Sequence, residues 1–453
     1  MQKYITLLSS ILLITVGAHT ATAQNTFTAD TLENDALFDE SIITDNDIAQ
    51  PDTLIFNIPT DSTANDSLQF ELPEGMTADI DSLLNGWQAR NLLKSFDCET
   101  EGWENIKVSD TLYAERLRNM PCIIDMPYNS MVRQCIDRYA TRNRTLVSYM
   151  LGISEFYMPM IEAEIDKYNM PHELKYLPVI ESALNPKAVS RVGAKGLWQF
   201  MFATGKLYGL KSNNYIDDRF DPLKATHAGL NYLRDLYKFF NRWDLAVAAY
   251  NCGPGNVKKA ILRSGGKTDF WEIYRYLPRE TRGYLPALVA ANYIMTYHEE
   301  HGICPMEPNI PIGTDTLHIN KNLHFKQVAQ YCDISIEDIR AINPQYIKDI
   351  IPGEAEKYVL RLPNSAITQF IANEDSIYNY EKETFFPKSD IAKMLKEAKA
   401  NDDGRGTLKY HKIRSGETLG SIARKYRVSV KQIMKWNNLR STNIRAGRSL
   451  KIY

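Results

Sequence analysis

Residues 170–201, MPHELKYLPVIESALNPKAVSRVGAKGLWQFM, decide how the rest of the chain is read. Pro171-His172-Glu173 starts a helix, with proline in the first turn, where its missing N–H costs nothing. Leu174, Leu177, Glu181 and Leu184 then fall at i, i+3, i+7 and i+10, on one helical face. Glu181 therefore projects from an apolar stripe. An ionised carboxylate there is costly, so the group is neutral, paired or functional. Burial raises a carboxyl pKa, and a general acid that keeps its proton near neutrality is one outcome. A glutamate at a helix end, turned to solvent or paired with a nearby Arg or Lys, is the other. Asn185-Pro186 stops the helix. Ser190, Gly193, Ala194 and Gly196 form a small-residue turn, followed by Leu197-Trp198-Gln199-Phe200-Met201. Apolar ring faces beside an amide donor and acceptor suit a sugar site; an ordinary core turn fits the same residues.

The flanking pattern is helical. Residues 130–136 open a periodic stretch, and residues 157–168 carry Pro159 with Met160, Ile161 and Ile165 on one face. Leu230, Leu233, Leu236 and Tyr237 sit at helical spacing, and residues 284–298 are apolar-rich. Alternating β-branched runs are nearly absent, which predicts a mainly α domain over residues 86–305. Within it, an Ala-rich helix ends in Ala249-Tyr250-Asn251 before Gly253-Pro254-Gly255, a helix stop that holds Tyr250 and Asn251 at a C-terminus. A fourth cluster is Glu280-Thr281-Arg282-Gly283-Tyr284-Leu285.

The whole chain has 453 residues and a formal charge of −2, with 44% hydrophobic and 24% charged residues. That composition can bury a core and excludes a collagenous, low-complexity or wholly disordered chain. The charge is unevenly spread. Residues 24–89 hold 14 acids and no Lys or Arg, residues 90–407 hold 40 of each sign, and residues 408–453 hold 12 Lys+Arg against Glu417 alone. Such asymmetry predicts separate functional parts.

Residues 1–23 have Lys3, an apolar run and Ala21-Thr22-Ala23, the layout of a cleaved secretory signal peptide. Export to the periplasm or outer envelope is expected, without an ordinary spanning helix thereafter. The first cysteine is Cys98, so no cysteine stands near the cleavage site to carry a lipid anchor. The other cysteines are Cys122, Cys135, Cys252, Cys304 and Cys332; none forms a C-x-x-C pair or zinc-ligand spacing. Disulfides and free buried thiols both remain open. Residues 24–85 lack positive charge and sustained periodicity, and are expected to be a disordered tether.

The C-terminal third repeats itself. Residues 328–343 (VAQYCDISIEDIRAIN) align without gaps on residues 422–437 (IARKYRVSVKQIMKWN). A Gly follows ten residues beyond Asn343 and Asn437, at Gly353 and Gly447, and each repeat is flanked by short strands. The unit reads βααβ and occurs over residues 312–363 and 408–453, with residues 364–407 as a linker.

With these motifs in place, the resemblance is to the lytic transglycosylases of the soluble-transglycosylase, goose-lysozyme-like superfamily. Their E-S, G-L-W-Q, A-Y-N and E-T-x-x-Y blocks are matched by Glu181-Ser182, residues 196–199, residues 249–251 and residues 280–284. The words around them, at residues 157–162, 177–182 and 269–271, resemble the membrane-bound lytic murein transglycosylase D family. Residues 410–453 resemble a LysM module, through Gly416-Glu417-Thr418-Leu419, Ile422-Ala423, Trp436-Asn437 and Gly447. The first repeat lacks that opening and has Ile342 in place of the Trp.

The resemblance implies a lysozyme-like helical fold followed by two βααβ LysM-like modules. It implies cleavage of the β-1,4 bond between N-acetylmuramic acid and N-acetylglucosamine in peptidoglycan, with 1,6-anhydro ends and no cofactor or metal. Glu181 is then the acid and base. Ser190 and Gln199 contact the acetamido group, Met201 lines the groove, and Tyr250, Asn251 and Tyr284 orient the acid or the sugar. Gly416, Thr418, Leu419 and Asn437 are the implied glycan-binding positions of the LysM module. Two alternatives stay open: a muramidase in which Asp217, Asp218 or Asp221 activates water, and a non-catalytic wall-binding scaffold. The basic end suits anionic wall polymers rather than nucleic acid.

Overall fold

Helices hold most of the chain in this computed structural model, which describes residues 70–85, 108–307, 313–400 and 409–452 apart from 427, 438 and 440. The expected signal peptide, most of the acidic segment and Cys98 lie outside the described residues.

The centre of the helical region is Tyr284–Thr296, in which every residue but Thr296 is buried. A helix apolar all round cannot sit at a surface, so the other helices pack around it. One neighbour is the long helix Arg144–Tyr168, which ends at Asn169 in the left-handed conformation (φ 50°) and carries Pro159 inside it. Another is Ser130–Asp137, and outside them Pro222–Phe240, started by Asp221, whose side chain accepts from Leu223 N and Lys224 N, packs on Arg144–Tyr168. A third neighbour is Trp243–Cys252, which stops where Gly253 takes φ 84°.

The decisive stretch is less regular than a single helix. Residues His172–Tyr176 form a 3-10 turn, and the α-helix is only Leu177–Ser182. Pro178 explains the boundary: it has no N–H to give a preceding turn and is accommodated at least cost at the start of a helix. The chain then leaves the helix before Asn185-Pro186, because Ala183 and Leu184 both take positive φ (51° and 58°). Leu184 is fully buried but belongs to the reversing chain, not to the Glu181 face.

Part of the segment expected to be a tether is folded. Phe70 and Met76 are buried in the catalytic core, a 3-10 turn covers Glu74–Thr77, and a helix covers Ile80–Asn85. The second departure is at residues 364–400. The sequence reads as a linker there, but these residues form Asn364–Ala372, Glu374–Asn379, Lys382–Phe385 and Lys388–Lys399. Phe370, Ile377, Tyr378, Phe386 and Met394 bury against the first repeat, which gives these helices an apolar face to keep.

Both repeats have the βααβ form. In the first, β1 (Thr314–Ile319) pairs antiparallel with β4 (Tyr358–Pro363), in the register Leu317↔Leu360 and Ile319↔Tyr358. A small added pair joins β2 (Asn322–His324) to β3 (Ile350–Pro352). In the second, β5 (Lys409–Lys412) pairs antiparallel with β6 (Ser449–Ile452). The same asparagine clips each unit together. Asn343 Nδ2 donates to Ile339 O (2.9 Å) and Arg361 O (2.8 Å), and its Oδ1 accepts from Arg361 N (2.8 Å). Asn437 does the same with Ile433 O, Lys451 O and Lys451 N.

The first repeat is joined to the catalytic region by backbone pairing. Ile216 bridges Tyr346 antiparallel, Asp217 N donates to Gln345 O (3.0 Å), and Ile347 N donates to Tyr215 O (2.8 Å). Tyr215 and Ile216 are buried in the repeat's own core. The second repeat has a separate small core around Leu419, Ile422, Ile433 and Leu450.

Candidate active site

Glu181 stands at the end of its short helix, and the next residue fastens that end. Ser182 Oγ is within reach of Pro178 O (3.0 Å) and Leu197 O (2.9 Å), so it ties the helix to the Gly196–Phe200 turn. The turn is pressed against a second loop. Gly196 has φ 81°, and a Cβ there would come 1.8 Å from Arg219 O. Only glycine meets both demands.

Trp198 does not offer its face to a sugar. It is fully buried, its Nε1 donates to Thr226 Oγ1 (2.9 Å), and its ring lies over Gly229, where a Cβ would come 2.7 Å from Cε3. The ring is an anchor for the turn. What reaches the open side is Gln199, held at φ 48° with Nε2 donating to Gly196 O (2.9 Å). Its Oε1 is enclosed with no hydrogen-bond partner among the described residues. Met201 is 45% exposed.

These groups meet in one cleft of about 720 Å³. Glu181, Ser190, Gln199, Met201, Tyr250, Asn251 and Tyr284 all line it. Four ordered blocks of sequence thus converge, three carried by helix ends and the second by the Gly196–Phe200 turn. Tyr250 Oη donates to Trp198 O (2.8 Å), which couples the third block to the second. Thr281 Oγ1 donates to Asn251 Oδ1 (2.8 Å), which couples the fourth to the third. Tyr284 Oη donates to Glu181 Oε1, which couples the fourth to the first.

The environment of Glu181 sets its chemistry. Enclosure by protein removes solvation from the charged form and pushes the carboxyl up from 4.5 to about 7. The Tyr284 hydrogen bond opposes the rise and Glu74 adds to it. Burial and the nearby Glu181 push the Tyr250 and Tyr284 hydroxyls well above their ordinary value, so both remain proton donors. No Lys or Arg among the described residues bonds to Glu181. The arrangement holds a carboxylic acid that carries its proton near neutrality and can both give and retrieve one.

The cleft also contains residues that sequence reasoning left out: Glu71, Leu72, Pro73 and Glu74 from the acidic segment, and Glu280. Glu280 was inside the fourth block. Phe70, Leu72 and Met76 were the only signal for the other four, too short to show a period.

Three stretches match known families. Residues 158–273 match the transglycosylase SLT domain. Residues 313–379 match the LysM-like domain of lytic transglycosylase MltD. Residues 411–452 match the LysM domain. Over 331 residues the chain is 32% identical to the membrane-bound lytic murein transglycosylase D of Escherichia coli (strain K12), an alignment covering 72% of this chain and 70% of that one. The chain belongs to the membrane-bound lytic murein transglycosylase D family. It is therefore an enzyme of the lytic transglycosylase class. The soluble lytic murein transglycosylase of the same strain is 35% identical over 123 residues, 26% of this chain and 19% of that protein. The solved structure of the 70 kDa soluble lytic transglycosylase from Escherichia coli covers 41% of this chain and 34% of its own, at 26% identity and a TM-score of 0.29.

In this transglycosylase the three aspartates weighed as water activators are occupied elsewhere. Asp217 is buried between Arg219 (Nη2, 2.7 Å) and Lys195 (Nζ, 3.0 Å). Asp218 pairs with Lys224 (2.8 Å) and accepts from Lys211 N (3.0 Å). Asp221 caps a helix. None of them lines the cleft.

The LysM positions divide in two. Leu419 is 1% exposed in the module's core, and Asn437 spends its amide on the backbone clip, so both hold the fold. Thr418 caps the following helix, its Oγ1 accepting from Ser421 N (3.1 Å), and Gly416 turns at φ 86°; these two remain at the surface. Cys122, Cys135, Cys252 and Cys332 are free thiols, whereas Cys304 is disulfide-bonded. Among the described residues, no helix is long and apolar enough to cross a membrane, and no group of three or more His, Cys, Asp or Glu is placed to hold a metal ion.

Proposed function

We propose that the enzyme cleaves the β-1,4 bond between N-acetylmuramic acid and N-acetylglucosamine of peptidoglycan with Glu181 as its one acid and base. The observation that carries this reading is the raised carboxyl of Glu181, held by Tyr284 at the floor of a cleft. In the first step protonated Glu181 gives its proton to the glycosidic oxygen as the bond to C1 breaks. The substrate's own acetamido oxygen closes on C1, a substrate-assisted route that needs no enzyme nucleophile. In the second step Glu181, now a carboxylate, takes the proton of the C6 hydroxyl. That oxygen displaces the acetamido oxygen and leaves a 1,6-anhydro ring.

Ser190 and Gln199, which both line the cleft, suit an acetamide, whose N–H needs an acceptor and whose carbonyl needs a donor. Asn251 and Tyr250 orient the sugar. The basic second repeat retains the enzyme on anionic wall polymer, with Gly416 and Thr418 on its binding side, and residues 1–23 direct export. Retention of this kind weakens with salt.

Glu71, Glu74 and Glu280 also face the cleft and keep one alternative in view, in which a carboxylate activates water. Mass spectrometry of digested glycan separates the two. Anhydro ends are expected. Reducible muramic acid ends without anhydro product would overturn the lytic route, and full activity in Glu181→Gln would overturn both.

A further inference from the structure

We propose that residues 70–77 form a third wall of the catalytic cleft, clamped between the two elements that carry Glu181 and Tyr284, and that Glu74 in this strap is a positioning residue for Glu181. The proposal rests on the acid role of Glu181 proposed above.

The strap touches both halves of the acid pair. On one side, Gly75 lies so close to the Glu181 helix that a Cβ would come 2.5 Å from Val179 O and 2.6 Å from Ile180 O. Glu74 is the residue before Gly75, and Glu181 is the residue after Ile180. The two carboxylates therefore leave from adjoining points of two backbones in contact, and both line the cleft. On the other side, Glu71 N donates to Arg279 O (3.0 Å). Gly283 admits the strap at the residue before Tyr284: a Cβ there would come 2.2 Å from Glu71 O and 2.7 Å from Phe70 Cδ2. Met76 is fully buried, and its carbonyl accepts from Asn143 Nδ2 (2.7 Å).

Two glycines that tolerate no side chain thus stand at the two contacts. They bring Glu74 beside Glu181 and hold Tyr284 to its task. A segment serving only to fill the core would need Phe70 and Met76, not carboxylates turned to a cleft that already contains one.

The electrostatic setting agrees. The groups facing Glu181 are Tyr284, which donates to it, Tyr250, whose hydroxyl is spent on Trp198 O, and Glu74. Glu71, Glu280 and Arg191 also line the cleft. A like charge disfavours ionisation, so Glu74 acts with burial, and against Tyr284, to keep the proton on the acid.

The test titrates Glu181 itself in the full chain. Carbon NMR of protein labelled at the glutamate carboxyls identifies the Glu181 signal by its loss in Glu181→Gln. Glu74→Gln is expected to lower the Glu181 midpoint by about half a pH unit, a roughly threefold change in the ratio of protonated to ionised acid. Glu74→Asp, which keeps the charge, is expected to restore most of it. The alkaline limb of kcat/KM on soluble glycan strands should move in the same direction, with KM changed less than kcat at pH 7. A Glu181 midpoint unmoved by Glu74→Gln overturns the proposal. Cleavage retained by Glu181→Gln overturns the acid role instead, so the two failures are read from different proteins.

Discussion

Replacing Glu181 by glutamine should make the protein more stable, by an amount that depends on pH. Glutamine keeps the shape of the side chain and an oxygen for the Tyr284 hydroxyl, but has no proton to lose. In the native protein the Glu181 carboxyl is raised from 4.5 to about 7. Between those values the folded chain binds more protons than the unfolded one, so wild-type stability falls as pH rises through the window. Each unit of difference is worth about 1.4 kcal/mol. The advantage of Glu181→Gln is then about 0.2 kcal/mol at pH 4, about 2 at pH 6 and about 3 at pH 8. Urea unfolding followed by tryptophan fluorescence at these three pH values measures it, in parallel with the loss of glycan cleavage. A difference that stays constant from pH 4 to pH 8 would refute the reasoning, because the ionised carboxylate would then be as well accommodated in the fold as in water.

Tyr284→Phe removes the one hydrogen bond that favours the ionised acid, so the alkaline limb of the activity profile should move to higher pH while kcat falls; a move to lower pH would contradict the geometry. Gly196→Ala sets a Cβ against Arg219 O at a positive φ and should cost about 2 kcal/mol or more in thermal unfolding. Asn437→Ala breaks the clip of the second repeat and should cost that module about 1–3 kcal/mol, read as lost amide protection in β5 and β6 with the catalytic region unchanged. Deleting residues 409–452 should reduce retention on intact wall, most visibly at low salt, and spare cleavage of soluble strands.

The parts of the site legible in sequence were those written locally. Glu181-Ser182, the glycine turn, Tyr250-Asn251 and Tyr284 are each set by a helix end, and helix ends announce themselves through Pro, Gly and Asn. Read singly, these blocks leave bland alternatives open; their order, matched to the transglycosylase pattern, assigns them to one site. What escaped was decided by distant partners. The strap has three apolar anchors in eight residues, and its seats, at Val179, Ile180, Arg279 and Gly283, lie more than 100 residues away. Trp198 looked like a sugar platform because its burial under Gly229 is invisible in its own neighbourhood. The early exit at Ala183 and Leu184 was hidden by a spacing that continued to look helical. Residues 364–400 looked like a linker because their charged faces outnumber the few apolar positions that dock on the first repeat.

The asparagine clip has a consequence for how such modules can change. Asn343 and Asn437 tie a helix to the closing strand using one amide and main-chain atoms only. In the first repeat Tyr346 Oη adds a bond to Val359 O (2.6 Å), but in both copies the asparagine makes the shared tie. A module built this way can exchange its outer residues, and with them its ligand, without first finding a new way to stay folded. The two copies show the range: one keeps a free-standing core, while the other has turned its periphery into a mortise for the catalytic region, meeting it through an isolated backbone bridge at Tyr346.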